Sequence, residues 1–418
     1  MYKAASCHRQ DLFLKKIRHH QVRHTAFCDK MFPLENSEPS FFQDAVCTDA
    51  EFTNMKSQIH FVLGAGVYPY LTGGMEIFNY YLIQTLHNNF KISYTSYFRL
   101  NYEGVKFKRC LPIKPTKYLF PIQLFFHLLF TRKVKYVLFS YSAAHAIVWR
   151  SYNLICRALH KKYIAVIHYG DVTPSKDIET YKRFFRDAEI VIAVSEDIKK
   201  NYDSKYGINC KVIYPLVPFS EAEMDKQTLR NKYHIPTAPH VICMIGSLKD
   251  MKNPETIIEA LKLFSSEELK LFNPHIVYAG DGASREYLKK KAAEYKLENR
   301  ISFLGNIPKE KVKDIYKLSD YYLIASDFEG TSVSLLEAMF NRKPIIASRV
   351  SGIVNTIREG KDCLMFTVKN AAELKGCLIK YIQQPQLAKD LSSNAYEHYL
   401  CNYNYDNVVA EYIEILNR

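Results

Sequence analysis

The stretch Ser326-Asp-Phe-Glu-Gly-Thr-Ser-Val-Ser-Leu-Leu-Glu-Ala-Met-Phe-Asn341 decides how this chain is read. It comes after the apolar run Tyr321 to Ala325, which has the length and continuity of a parallel strand buried on both faces. It runs into Leu335, Leu336, Met339 and Phe340, spaced as one face of a helix. The segment is therefore a strand, a tight loop and a helix N-terminus in succession. In α/β folds that junction binds anions, because the first N–H groups of the helix are unpaired and the helix dipole favours negative charge. Gly330 lets a ligand approach the backbone, and Thr331 or Ser332 can cap the helix. Two carboxylates frame the junction, Glu329 in the loop and Glu337 in the helix, with seven residues between them. Taken alone, the pair reads as one surface-loop carboxylate and one on a solvated helix face, so its meaning depends on the rest of the chain.

Working outward, apolar strands and helical periods alternate. Strands are expected at about residues 58 to 63, 91 to 97, 135 to 140, 163 to 167, 189 to 194 and 211 to 214. Helices lie between them at about 74 to 88, 119 to 130, 146 to 160, 179 to 186 and 196 to 205. After Pro215 and Pro218 the pattern pauses in an acidic connector, resumes with a strand at 240 to 245 and continues to about residue 382. Such alternation predicts doubly wound parallel sheets, and the pause predicts two Rossmann-like domains, 55 to 222 and 223 to 400. Residues 401 to 418 carry a last helix with Val408, Val409, Tyr412, Ile413 and Leu416 on one face. Residues 1 to 54 have no sustained period and are expected to be a disordered extension.

The 418 residues are 48% hydrophobic and 24% charged, as in a soluble globular protein. No apolar run reaches the roughly 20 residues that span a bilayer, and no export signal is read at the N-terminus, so a cytoplasmic location is expected. The ten cysteines include no Cys-x-x-Cys pair and imply neither a disulfide framework nor a zinc site. The net charge of +14 is uneven: residues 55 to 222 hold 23 basic against 11 acidic groups, whereas the rest is nearly balanced.

Several local patterns could carry chemistry. Gly64-Ala-Gly66 lacks the third glycine of a dinucleotide fingerprint, since Pro69 stands there. Gly73-Gly74 at the first helix frees backbone for a diphosphate or sugar, or serves as a plain helix-entry turn. His168 ends a strand at the carboxyl edge where doubly wound sheets place ligands, although a strand-end histidine is commonly structural. Ser195 suits a helix cap. Lys252 lies just before Asn253-Pro254 and a helix, where an anion would meet a point charge beside free N–H groups. Ala279-Gly-Asp-Gly282 comes after another strand and again exposes backbone.

The Glu-x7-Glu spacing in its strand-loop-helix setting, followed by Lys343-Pro-Ile-Ile-Ala-Ser348 and Gly352, resembles retaining glycosyltransferases of family 4, which have the GT-B fold. Gly73-Gly74 with Glu76 is similar to that family's Gly-Gly-x-Glu loop, and Lys252 to the lysine of its Gly-Arg-Leu-x-x-x-Lys pattern. Ser247 replaces the arginine of that pattern, and Asn355 stands where a glutamate is frequent. Ser195 resembles the family's serine at that site, and Phe303-Leu-Gly-Asn306 falls at its base-contacting loop. The resemblance covers residues 58 to 416. It implies two Rossmann-like domains facing a cleft, with the last helix crossing back to the first domain.

The implied activity moves a hexose-type sugar from a UDP- or GDP-linked donor to a glycan or lipid-linked acceptor, with retention, in cell-surface polysaccharide synthesis. Glu329 and His168 are the implied catalytic residues. Gly73, Gly74, Ser247, Lys252, Gly280, Gly282, Gly330, Thr331, Ser332 and Glu337 are the implied donor-binding residues, with Glu337 on the ribose. No cofactor and no metal are expected; Lys252, with Lys249 as a second cation, faces the diphosphate. A nucleotide-sugar 2-epimerase of the same architecture and a non-catalytic partner of an active transferase remain open. The basic first domain carries an aromatic run from Lys117 to Lys133. It is read as a core helix that also faces an anionic membrane surface rather than nucleic acid, giving a peripheral cytosolic-face enzyme.

Overall fold

The computed structural model describes residues 57–64, 74–96, 100, 102, 105, 107–108, 120–131, 133–140, 146–168, 178–215, 218–238 and 240–418. By its contacts the chain divides into Met1–Thr48 and Asp49–Arg418, and every element described belongs to the second unit. The extension read at 1 to 54, the glycine pattern beyond Gly64, Gly73, and the basic residues Lys106, Arg109, Lys114 and Lys117 lie outside the described residues.

Two parallel sheets carry the unit. The first comprises β1 (Gln58–Gly64), β2 (Lys91–Ser96), β3 (Phe107–Lys108), β4 (Val134–Ser140), β5 (Lys162–Ile167), β6 (Ile190–Ala193) and β7 (Lys211–Val212), in the order β3-β2-β1-β4-β5-β6-β7. The second comprises β8 (His240–Ile245), β9 (Pro274–Ala279), β10 (Ile301–Gly305), β11 (Tyr321–Ile324), β12 (Ile345–Ser348) and β13 (Leu364–Phe366), ordered β10-β9-β8-β11-β12-β13. The strands of both sheets pair in parallel, as the continuous apolar runs require when helices cover both faces. In both sheets the order reverses beside the first strand, between β1 and β4 and between β8 and β11. Doubly wound folds bind ligands at that switch point, outside the carboxyl ends of the strands. The short edge strand β3 was not legible as a period because only Phe107 and Lys108 pair.

The C-terminal helix Tyr405–Asn417 packs Val408, Tyr412, Ile415 and Leu416 into the core of the first sheet, so the chain crosses back as expected. Lys135 Nζ donates to Leu416 O, and Lys211 pairs with Glu411 at 2.9 Å, fixing the return.

The helix Phe120–Phe130 sits in an inverted sense. Its buried side carries Gln123 and His127 beside Leu124 and Leu128, while Ile122, Phe126, Leu129 and Phe130 are exposed. The polar side is buried because it meets partners there. His127 Nε2 lies 3.1 Å from Ser93 Oγ, which also receives Gln58 Nε2, and His60 bridges Ser93 and Thr95. A buried polar group with its hydrogen bonds made is tolerated in a core.

Candidate active site

The loop between Glu329 and the helix that carries Glu337 is the centre of the site. After β11 the chain turns through Ser326 to Ser332 into the helix Val333–Phe340. Ser332 occupies the cap position in extended backbone, but its side chain makes no cap bond; it contacts Ser334 Oγ at 3.2 Å instead. Thr331 does not cap the helix either. Its hydroxyl donates to Val194 O at 2.8 Å, joining the second sheet's loop to the end of β6. The first N–H groups of this helix are thereby left without a side-chain acceptor.

Glu329 is buried, with 8% of its surface exposed, and Lys252 Nζ donates to its Oε1 at 2.6 Å. Ser326 Oγ donates to the same oxygen at 2.6 Å. Oε2 has no partner among the described residues. Such charge-assisted bonds hold the carboxylate in one orientation. Lys252 ends a short 3-10 turn, Asp250–Lys252, closed by Asn253 in the left-handed region at φ 49°. Asn253 therefore terminates this turn and does not cap the next helix, Glu255–Lys262, whose preceding residue is Pro254. The two loops are tied by Asp327 N donating to Met251 O at 3.0 Å.

Glycines shape the same region. A Cβ on Gly352 would lie 2.0 Å from Glu329 O and 2.2 Å from Gly330 O, so only glycine lets the helix Ser351–Val354 back the loop. Gly330 has open space where its Cβ would stand. Gly280 and Gly282 are needed for the approach of Gly246 and Leu248, whose backbones would lie 1.9 Å and 2.3 Å from added Cβ atoms. Their conformation thus brings the Ser247 loop onto the Gly280 loop. The close approach expected of a ligand is here made by the chain itself. Ser247 is partly exposed in that loop.

Glu337 turns toward a cavity of about 270 Å³ lined by Tyr81, Phe219, Lys309, Lys313, Tyr316 and Asn341, among others. The Tyr316 hydroxyl lies 3.3 Å from Glu337 Oε2. Lys309 Nζ stands over the Tyr81 ring at 3.8 Å and has no hydrogen-bond partner among the described residues. Burial pushes the Glu337 carboxyl up and the Lys309 ammonium down, each opposed by the other's charge.

On the facing sheet, His168 comes directly after β5, and Gly74 opens the helix Gly74–Leu86 beside β1. Burial lowers the His168 pKa to about 3, so the ring is neutral. Its Nε2 lies 2.8 Å from Ser140 Oγ at the end of β4. Ser195 caps the helix Glu196–Tyr206 by accepting from Ile198 N. The two halves also meet where Ser351 Oγ donates to Asp197 at 2.9 Å and Asn355 Nδ2 donates to the same oxygen. Asn355 is thus occupied between domains.

Ser326, Ser140, Asn79, Asp197 and Lys309, which the structure brings against these candidate residues, were not singled out in the sequence. Ser140 was within reach: it ends an apolar strand just as His168 does, and the carboxyl-edge rule applies to both.

Residues 225–398 match the family described as glycosyl transferases group 1. An uncharacterized glycosyltransferase of Methanocaldococcus jannaschii is 31% identical over 57% of this chain and 60% of its own length. The putative teichuronic acid biosynthesis glycosyltransferase TuaC of Bacillus subtilis is 24% identical over 55% of this chain and 58% of its own length. The chain thus spans about three fifths of the length of these relatives. Among solved structures, a glycosyltransferase of Rickettsia africae superposes with a TM-score of 0.72 at 22% identity, over 86% of this chain and 98% of that one. Anabaena Alr3699/HepE in complex with UDP superposes with a TM-score of 0.70 at 16% identity, over 86% and 99%. Over residues 225–398 the chain is thus similar in sequence to the group 1 glycosyl transferases, and over most of its length it shares the two-sheet GT-B fold of these solved structures.

Proposed function

We propose that the protein is a retaining glycosyltransferase that moves a neutral hexose from a nucleotide-diphosphate sugar to a glycan or lipid-linked acceptor. The observation that carries this reading is the Lys252–Glu329 pair at 2.6 Å, set beside an uncapped helix N-terminus. A diphosphate brought there finds an ammonium and free N–H groups, and a sugar beside it finds a buried carboxylate. The binding of UDP by Alr3699/HepE and the matched group 1 domain support a nucleotide-sugar donor.

In this mechanism the acceptor hydroxyl attacks the anomeric carbon on the face from which the diphosphate departs. The carbon–oxygen bond to the diphosphate breaks, the new glycosidic bond forms, and the acceptor proton passes to the departing phosphate oxygen. Glu329 holds sugar hydroxyls and stabilises positive charge at the anomeric carbon; Lys252 stabilises the charge developing on the diphosphate. Glu337 receives the ribose. The two cationic elements, Lys252 and the helix N-termini, do the work a divalent ion does elsewhere, so the reaction is metal-independent. Approach of the domains excludes water from the sugar.

The first domain also carries a surface suited to an anionic lipid face. Ile122, Phe126, Leu129 and Phe130 present one exposed apolar stripe, and Phe126 and Phe130 stack with ring centres 6.4 Å apart. In the sequence, residues 104–170, which include this helix, hold 12 Lys or Arg and no Asp or Glu. Apolar groups that enter the headgroup region, among cations that attract it, make a peripheral membrane enzyme acting on a lipid-linked acceptor in cell-surface polysaccharide synthesis. Among the described residues no helix is long and apolar enough to cross a membrane.

Titration calorimetry of the purified chain with UDP, GDP and ADP, followed by donor-dependent nucleotide release, tests the function. Tight binding of one diphosphate and release without a partner protein are expected. Binding of none, or isomerisation of the free donor in place of transfer, would refute it.

A further inference from the structure

At the carboxyl edge of the first sheet, three polar groups from three elements form one chain. His168 Nε2 lies 2.8 Å from Ser140 Oγ, and the Ser140 hydroxyl donates to Asn79 Oδ1. Ser140 and Asn79 are both 0% exposed. A hydroxyl has a single proton. With that proton directed to Asn79, Ser140 Oγ is left to accept from His168, so Nε2 carries the ring's proton and Nδ1 is bare. Among the described residues Nδ1 has no partner. The ring is held in place by the edge of Phe78, 4.9 Å between ring centres at 71°. Among the described residues Asn79 Nδ2 is buried without a partner, an unfavourable arrangement that a space-filling residue would avoid. It is the amide oxygen that the chain uses.

We infer that Asn79 and Ser140 are positioning residues that fix His168 in its Nε2–H tautomer, so that the nitrogen left for the donor sugar can only accept a hydrogen bond. This rests on the reading that His168 stands beside the transferred sugar of a nucleotide-sugar donor. A bare ring nitrogen takes a hydroxyl and repels a carboxylate, which has no proton to give and loses its hydration on arrival. The sugar therefore carries a hydroxyl at that contact, and uronic acid donors are selected against. Burial keeps the ring neutral, with its pKa lowered to about 3, so the tautomer persists through neutral pH.

The first test is nitrogen-15 NMR of the full chain labelled at histidine, reading the two ring nitrogens of His168. A protonated Nε2 and bare Nδ1 between about pH 5 and 8 are expected, and a protonated Nδ1 would overturn the inference. Ser140→Ala should release the fixed tautomer and lower donor turnover about tenfold while leaving UDP affinity within about twofold, and Ser140→Thr should restore turnover. Unchanged tautomer and turnover in Ser140→Ala would also overturn it. With the wild type, a UDP-hexose should exceed the matching UDP-hexuronate in kcat/KM by about 100-fold, and equal use of both would remove the specificity. If no donor is turned over yet the Nε2–H tautomer is found, the glycosyltransferase reading fails and the positioning role stands.

Discussion

Glu329→Gln separates the two duties assigned to the Lys252–Glu329 pair. Glutamine keeps the side chain's shape and can still accept from Ser326 Oγ, now 2.6 Å from Glu329 Oε1, but it removes the charge that Lys252 neutralises. The Lys252 side chain is 30% exposed, so it rehydrates, and the loss in stability should be under about 1 kcal/mol. For the nucleotide, the native pair is a competitor: a diphosphate has to draw Lys252 away from a carboxylate. A charge-assisted bond of this kind contributes about 1.5–3 kcal/mol, much of which the incoming phosphate replaces. UDP affinity in the variant is therefore expected to stay within a few-fold or tighten by up to about tenfold, since about 1.4 kcal/mol is a factor of ten. Turnover should fall about 100- to 1000-fold, the usual consequence of losing one group aimed at transition-state charge. Lys252→Ala, by contrast, should weaken UDP and turnover together. Calorimetry with UDP and single-turnover measurement with donor and acceptor read the two effects. Near-normal turnover in Glu329→Gln, or UDP affinity lost as in Lys252→Ala, would refute the division of roles.

Gly352→Ala should lower turnover about 100-fold with a smaller effect on UDP binding, because its Cβ at 2.0 Å from Glu329 O forces the Glu329 loop to shift; a crystal structure and kinetics check this. Asp362 is fully buried and accepts from Arg358 and His398, which together hold its carboxyl well below the usual range despite burial. Its contribution to stability is therefore present above the ordinary carboxylate pKa of about 4 and lost as pH falls below it; Asp362→Asn should cost about 2–4 kcal/mol near neutral pH and flatten that acid limb in urea titrations. Phe126→Ser with Phe130→Ser should cut binding to vesicles containing anionic lipid at least about tenfold with no loss of melting temperature, since Phe130 is already 76% exposed, and unchanged salt-sensitive binding would reject that surface. Asp197→Ala, which removes the acceptor of Ser351 and Asn355, should raise KM for the donor several-fold while leaving the melting temperature within about 2 °C, as an exposed interdomain contact would.

The features legible in the sequence are those written in local period. Tyr321 to Ala325 reads as a buried strand because its successive apolar side chains need cover on both faces, and the spacing of Leu335, Leu336 and Met339 marks the helix after it. The alternation of such units makes the two sheets, and the order of their edges comes from it. What was not legible depends on pairs distant in the chain. Thr331 has the composition of a cap, yet its hydroxyl goes to Val194 O, a partner 137 residues away. The helix Phe120–Phe130 is apolar nearly all round, so its period cannot say which face turns inward; Ser93 and His60 help decide it by offering His127 a polar neighbourhood. Likewise nothing near Glu337 in sequence announces that Lys309 will share its cavity beneath Tyr81 of the other domain. Gly280 and Gly282 were recognised as places of close approach, but the sequence could not say that the approaching group is the chain itself.

On the proposed function, these long-range contacts also bear on when the Glu329 charge is released. Its loop is held by Gly352 from behind, by Met251 through Asp327, and by Ser348, whose hydroxyl donates to Ser326 O at 2.7 Å. Thr331, two residues on, is fastened to the first domain. The carboxylate is thus placed by contacts from both domains, while its charge is engaged by Lys252. On the proposed function, the diphosphate draws off Lys252 and leaves Oε1 with Ser326 alone. The loop does not have to move for this; only the partner changes. Arrival of the leaving group and release of the charge that stabilises the sugar cation are then the same event. A buried carboxylate that is neutralised until the donor is seated leaves a stray sugar or water in the cleft without that stabilisation.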